Sequence, residues 1–257
     1  MSDQSGRAQD GSDHASLQPE GLPEGANLER VTTQGPGEMA MEILCIPGEG
    51  GEFPPTVDAW IGAGVSGEAP SASWMSFQGS RILWSPERCA ILAPSDRLPA
   101  VRSAVLDVSG HDRALRAIER ALDSAWPELD SDASLAFEFE ESAVGRRKEL
   151  RERLGRVLLM RARLARIAPA VLAPPVYPPT LASQVADRLR ERLRIASRYE
   201  AAAIQVDAFR DTYDMCSQRA SDFMLARTGH RLEWVIIVLL AAQLLLWAFE
   251  YLTMASG

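Results

Sequence analysis

Arg231-Leu232-Glu233-Trp234 opens onto an uncharged run from Val235 to Phe249 that reads VIIVLLAAQLLLWAF. Gln243 is its one strongly polar side chain. From Leu232 to Leu252 a helix would rise roughly 30 Å, about one hydrocarbon core. Trp234 at one end, and Trp247 and Tyr251 at the other, stand where amphipathic rings favour the headgroup layer. A buried core helix is the alternative. Such helices usually keep a polar stripe and rarely hold so long an apolar run. The run is expected to form one transmembrane helix over residues 231–252, followed by a short tail at 253–257.

The flanks suggest an orientation. Arg227, His230 and Arg231 precede the run and no base follows it. Residues 1–37 contain no apolar segment of a secretory signal, and their acids argue against a mitochondrial presequence. Positive-inside then places residues 1–231 in the cytoplasm, as a tail-anchored single-pass protein of the bacterial inner membrane. The formal charge of −8 is unevenly spread: residues 1–140 carry 23 acids against 9 bases, and residues 141–257 carry 12 against 18. The basic half is the half joined to the membrane, as suits an anionic leaflet. Lys148 is the only lysine, so the arginine richness also fits a general compositional bias.

Residues 1–38 are polar, acidic and poor in large apolar side chains, and read as a disordered tail. From Met39 the texture changes to a small α+β domain over residues 39–142. Met41–Ile46 reads as a strand ended by Pro47-Gly48, with a short helix or strand near Val57–Ile61. Ser73–Phe77 and Arg81–Trp84 flank Gln78-Gly79-Ser80, a hairpin signal. Cys89–Leu92 and Val101–Val108 are further strand candidates. Ser109 and Asp112 resemble a helix start, with Leu115, Ile118 and Leu122 on one face and Trp126-Pro127 as the stop. Leu135, Phe137 and Phe139 alternate with Ala136, Glu138 and Glu140, the period of a half-buried strand.

Residues 143–180 form an Arg-rich helix and a Pro-rich link. Leu150, Leu154, Val157, Leu158, Leu164 and Ile167 make an apolar face. Arg146, Arg147, Arg151, Arg153, Arg156, Arg161, Arg163 and Arg166 surround it. Such a face suits acidic lipid or RNA phosphate, or is simply a solvated face whose arginine stems cover neighbouring surface. Residues 181–230 are a long helical segment, either one rod or a bent pair. Within it Ile195, Tyr199, Ala202, Val206, Phe209, Tyr213, Cys216, Ala220 and Phe223 recur at spacings of 4 and 3, a coiled-coil seam. Its partner is another subunit or another helix of the same chain. The aromatics are bulky for a two-stranded core and fit an intramolecular hairpin about as well.

Cys45, Cys89 and Cys216 lie far apart and fit free thiols in a reducing compartment. His14, His111 and His230 share no metal-ligand spacing. No phosphate-binding loop, dinucleotide fingerprint or nucleophile turn is present, and no catalytic residue, cofactor or metal is assigned. The best catalytic candidates are His111 with Asp107 or Asp112, and Glu138 with Glu140. A helix start and a solvent-facing strand explain them as well.

The junction Arg231-Leu232-Glu233-Trp234-Val235-Ile236-Ile237 after a long helix, with Glu250 at the far end of the span, resembles the required-for-meiotic-nuclear-division family. The likeness follows the order of elements over residues 72–252 and is sharpest at 227–240. Trp74–Trp84 (WMSFQGSRILW) is similar to that family's aromatic hairpin. Gln243 departs from it, standing where relatives often carry an acid. The resemblance implies a small α+β region, long helices and a C-terminal span. It also implies membrane-anchored, self-associating proteins that support translation or division, with no catalytic residue to carry over.

The expected fold is thus an α+β N-terminal domain followed by long helices and one C-terminal transmembrane helix. The expected function is a self-associating, non-enzymatic scaffold or tether, with the bilayer and a second copy as partners. A membrane-bound RNA or ribosome tether and an enzyme with an unrecognised site are the alternatives.

Overall fold

A computed structural model of the chain describes residues 24–33, 39–63, 72–136, 146–172 and 176–255. The chain forms two compact units. One comprises Met1–Ala114 with Pro174–Ile195, the other Leu115–Ala173 with Ala196–Gly257.

The first unit is built on a five-stranded sheet. Its strands are β1 (Asn27–Thr33), β2 (Met39–Pro47), β3 (Ser73–Phe77), β4 (Ser80–Trp84) and β5 (Arg88–Ala93), in the order β1-β2-β5-β4-β3. Only β2 and β5 run parallel, with Ile43 opposite Cys89 and Cys45 opposite Ile91. These central strands are apolar on both faces, as a strand covered on both sides must be. Leu44, Ile46, Ala90 and Leu92 face Val57, Trp60 and Ile61 of α1 (Pro55–Ala63). Met41, Ile43, Cys45, Cys89 and Ile91 are buried on the opposite face. Burying each large aliphatic side chain stabilises by about 1.5–3 kcal/mol. The β3–β4 hairpin turns through Gln78 and Gly79, with φ of 47° and 80°. Positive φ at both central residues is the turn whose twist matches the strands, which is why glycine follows Gln78.

Helix α2 (Leu98–Asp132) begins in this unit. The Trp84 indole donates to the Ser109 hydroxyl at 2.8 Å, and the Arg102 guanidinium donates to Glu29 at 2.9 Å. After α3 (Arg147–Val171), helix α4 (Leu181–Arg192) starts with a capping box in which Thr180 and Ser183 exchange side-chain and backbone hydrogen bonds. Arg190 reaches Asp107 at 3.4 Å.

The second unit holds the rest of α2 from Leu115, a 3-10 turn (Ala133–Ala136), α3 and nearly all of α5 (Ile195–Ala255). Leu115, Ile118, Leu122 and Leu129 are buried on α2, at the spacing of one helical stripe. Leu150, Val157, Met160 and Leu164 are buried on α3. Ala202, Val206, Phe209, Tyr213 and Cys216 are buried on α5. Trp126 meets Phe209 edge-on at 4.8 Å between ring centroids.

The architecture is as expected: a sheet-bearing N-terminal part, long helices, and one C-terminal helix long and apolar enough to cross a membrane. Several local expectations are corrected. Asn27–Thr33 is not disordered but pairs antiparallel with β2 as an edge strand. Val101–Val108 is helix, not strand, because Val101, Ala104, Val105 and Val108 are buried at helical spacing. Ser109 and Asp112 lie inside that helix rather than at its start. The helix also continues through Pro127 to Asp132, since burial of Leu129 and the Trp126–Phe209 contact outweigh one lost hydrogen bond. Leu135 and Ala136 form a 3-10 turn, not a strand; Phe137 to Glu140 lie outside the described residues. On α3, Leu158 is exposed and Met160 takes its place inside, and the helix runs past Pro169. The long segment is broken by Arg194, whose φ of 52° no helix accepts.

Candidate functional site

Helix α5 changes character along its length. Up to Cys216 its seam is buried in the chain's own second unit: Ala202, Val206, Phe209, Tyr213 and Cys216 are all enclosed, Tyr199 is half-buried, and Ile195 is buried at the boundary of the first unit. The side chains of Ala220 and Phe223 lie outside the description. Up to Cys216 the seam is thus covered within the chain, with Trp126 of α2 against Phe209 and Cys216 against Asp132.

From Leu232 to Trp247 the same helix is exposed all round. Trp234 is 57% exposed, Leu240 55% and Leu245 71%, and Gln243 is exposed beside them. Thr228–Trp247 is the segment long and apolar enough to span a bilayer, and none of it is buried in the fold. An apolar surface of this extent on one helix marks contact with lipid or protein. The segment is entered through a small polar knot. The Trp234 indole donates to His230 Nε2 at 3.2 Å, one turn earlier, and His230 Nδ1 lies 3.5 Å from a Glu233 oxygen. This satisfies the indole N–H with a polar side chain one turn earlier. The side chains of Arg231 and Tyr251 are outside the description, while Leu232 is exposed with its neighbours.

A second feature is buried charge. Asp132 is fully enclosed at the end of α2. Arg146 donates to one of its oxygens at 2.7 Å and Arg153 to the other. Arg153 also binds Glu149 and lies 3.5 Å from Glu128, which Arg156 holds in turn. Burial disfavours the Arg153 cation, but its hydrogen bond to Asp132 and the surrounding carboxylates outweigh this and raise its pKa. The Cys216 thiol donates to the Asp132 carbonyl at 3.7 Å. Tyr213 is pushed up to about 12, by burial first and then by the Asp132 carboxylate, against the opposing pull of Arg153. The cluster joins α2, α3 and α5 within the second unit, and it borders a pocket of about 310 Å³ floored by Val157, Met160 and Phe209.

Of the eight arginines singled out from sequence, four are paired with acids: Arg146, Arg153, Arg156 and Arg161, the last with Asp207 at 3.7 Å. Arg151, Arg163 and Arg166 remain exposed, and the Arg147 side chain is outside the description. Asp132, the hub, carries no sequence signal, since its partners lie 14 and 21 residues away on another helix. The pairing of His230 with Trp234 is readable in principle from its spacing of four.

Of the catalytic candidates, His111 Nδ1 stands 3.9 Å from Asp107 one turn away on α2, while Asp112 is buried. Among the described residues no group of His, Cys, Asp and Glu could hold a metal ion. The three thiols are free and buried. Burial pushes Cys45 up to about 11 and raises Cys89 and Cys216 as well. No family model, no curated protein and no solved structure matches the chain.

Proposed function

We propose that this chain is a single-pass membrane protein that holds its two folded units at the cytoplasmic surface as a non-enzymatic scaffold or tether. The observation that carries the reading is the uncovered apolar helix, Thr228–Trp247, continuous with a helix that buries one face in the fold up to Cys216. A stiff, uninterrupted link between fold and span suits a device that positions a domain. The bases Arg227, His230 and Arg231 before the span support a cytoplasmic placement of the units. The resemblance at residues 227–240 agrees with this role. With the seam of α5 covered within the chain up to Cys216, self-association is assigned to the exposed span, where Gln243 supplies the one strongly polar contact group.

Fractionation tests the reading. The full chain is expected in the membrane pellet after alkaline carbonate washing, and released only by detergent. A chain ending at Arg227 is expected in the soluble fraction. Release of the full chain by carbonate would overturn the anchor.

A further inference from the structure

Strand β3 ends the sheet, and its sequence, Ser73-Trp74-Met75-Ser76-Phe77, contains neither a charge nor a proline. Edges are normally guarded by such residues, because an open edge recruits other strands. The opposite edge strand, β1, carries Glu29 and Arg30. Pairing of β3 with β4 runs from Ser73–Trp84 to Phe77–Ser80 around a two-residue turn. In that geometry Phe77, Met75 and Ser73 bond inward to β4, so the N–H and C=O of Trp74 and Ser76 face outward. Among the described residues no strand pairs with that side; helix α4 approaches the turn end of β3, where Gln78 donates to Gln184 at 3.2 Å, and leaves the strand's edge unpaired.

A groove of about 620 Å³ lies along this edge, lined by Trp74 through Phe77. Successive side chains of a strand point to opposite faces, so a groove that touches four in a row follows the strand's backbone rather than one face. Arg188, Arg192 and Arg194 of α4 and the break after it make the other wall, with Glu191 the single acid. Arg188 lies 3.6 Å from Glu191, and both are well exposed. Trp74 is 64% exposed at the groove.

We infer that this groove takes an extended acidic peptide segment of a partner protein, added as a sixth strand beside β3. Main-chain groups of Trp74 and Ser76 offer both N–H donors and C=O acceptors in a repeat of two residues, about 7 Å, which a peptide main chain answers with its own C=O and N–H groups and a phosphodiester backbone, lacking N–H donors, does not. Arg188 and Arg192 neutralise its carboxylates, and Trp74 covers an apolar side chain between them. The assignment does not depend on the membrane reading.

The test uses the full chain in detergent and a short fluorescent peptide alternating valine with glutamate, followed by anisotropy. Saturable binding is expected, weakening with salt. The valine–lysine peptide is expected not to bind, and the joint change Arg188→Glu and Arg192→Glu should weaken the acidic peptide about tenfold or more. Methylating the backbone nitrogens of the peptide that face β3 should abolish binding without touching the protein. The inference is overturned if the methylated peptide binds as well as its parent, if the charge reversal has no effect, or if an oligouridylate binds in preference to the acidic peptide.

Discussion

Replacing Asp132 with alanine should open the helical unit. The carboxylate is fully buried and takes hydrogen bonds from both Arg146 and Arg153. Removing it leaves an enclosed hole beside two cations whose remaining acids, Glu149 for both and Glu128 for Arg153, are more exposed. Arg146 is 36% exposed at its side chain and can turn to water, but Arg153 is only 13% exposed. Breaking one partner of a buried pair costs about 3–5 kcal/mol, and the partial escape of Arg146 together with the Glu149 and Glu128 partners left to Arg153 puts the expected loss at the lower end, about 3 kcal/mol. At about 1.4 kcal/mol per decade, that is roughly a hundredfold rise in the open population. Cys216 is a built-in reporter, since its thiol sits on the Asp132 carbonyl. Peptide-resolved alkylation of the detergent-solubilised chain should show Cys216 reacting about a hundredfold faster in Asp132→Ala. Cys89, buried in the sheet unit, serves as the internal reference. Joint replacement Asp132→Leu with Arg153→Met should recover most of the protection, because an apolar pair needs no desolvation of charge. An unchanged Cys216 rate in Asp132→Ala would refute the claim that this cluster holds the three helices together.

Alkaline pH should destabilise the fold. Cys45 rises from its ordinary 9.0 to about 11 and Tyr213 from 10.0 to about 12, so below pH 9 both are neutral in either state and contribute nothing. As pH climbs from 9 to about 12 the unfolded chain loses these protons first, and stability falls; a denaturation midpoint constant across that range would contradict the burial. A reporter fused after Gly257 is expected on the far side of the membrane from residues 24–227, and changing Arg227 and Arg231 to Glu should weaken that bias, as read by protease protection. Gln243→Leu should reduce cross-linking between spans, a contact worth about 0.6–2 kcal/mol; unchanged cross-linking would remove the amide from any helix contact.

Much of the scaffold is legible because its signals are local. The hairpin at Gln78-Gly79 needs two residues of positive φ, and the sequence offers a glycine where it is needed. The apolar runs of β2 and β5 announce strands covered on both faces. Where composition and period disagree, period decides. Val101–Val108 is rich in β-branched residues, yet its buried positions recur at three and four, and it is helix. Strand β1 escapes a reading by composition because an edge strand buries little of its own; the ladder offered by Met39–Pro47 orders it.

The candidate sites divide along the same line. An uncharged run of helix length is a property of the sequence, because its solvent preference follows from side chains alone. What fills the α5 seam is not. A heptad pattern states that a helix face must be covered, but any apolar face covers it equally well, and only the tertiary structure shows Trp126 and Asp132 of α2 against it. The Asp132 hub and the open edge of β3 are likewise products of the fold: one needs arginines from a distant helix, the other an absence of neighbours among the described strands, and neither leaves a mark on residues close in sequence.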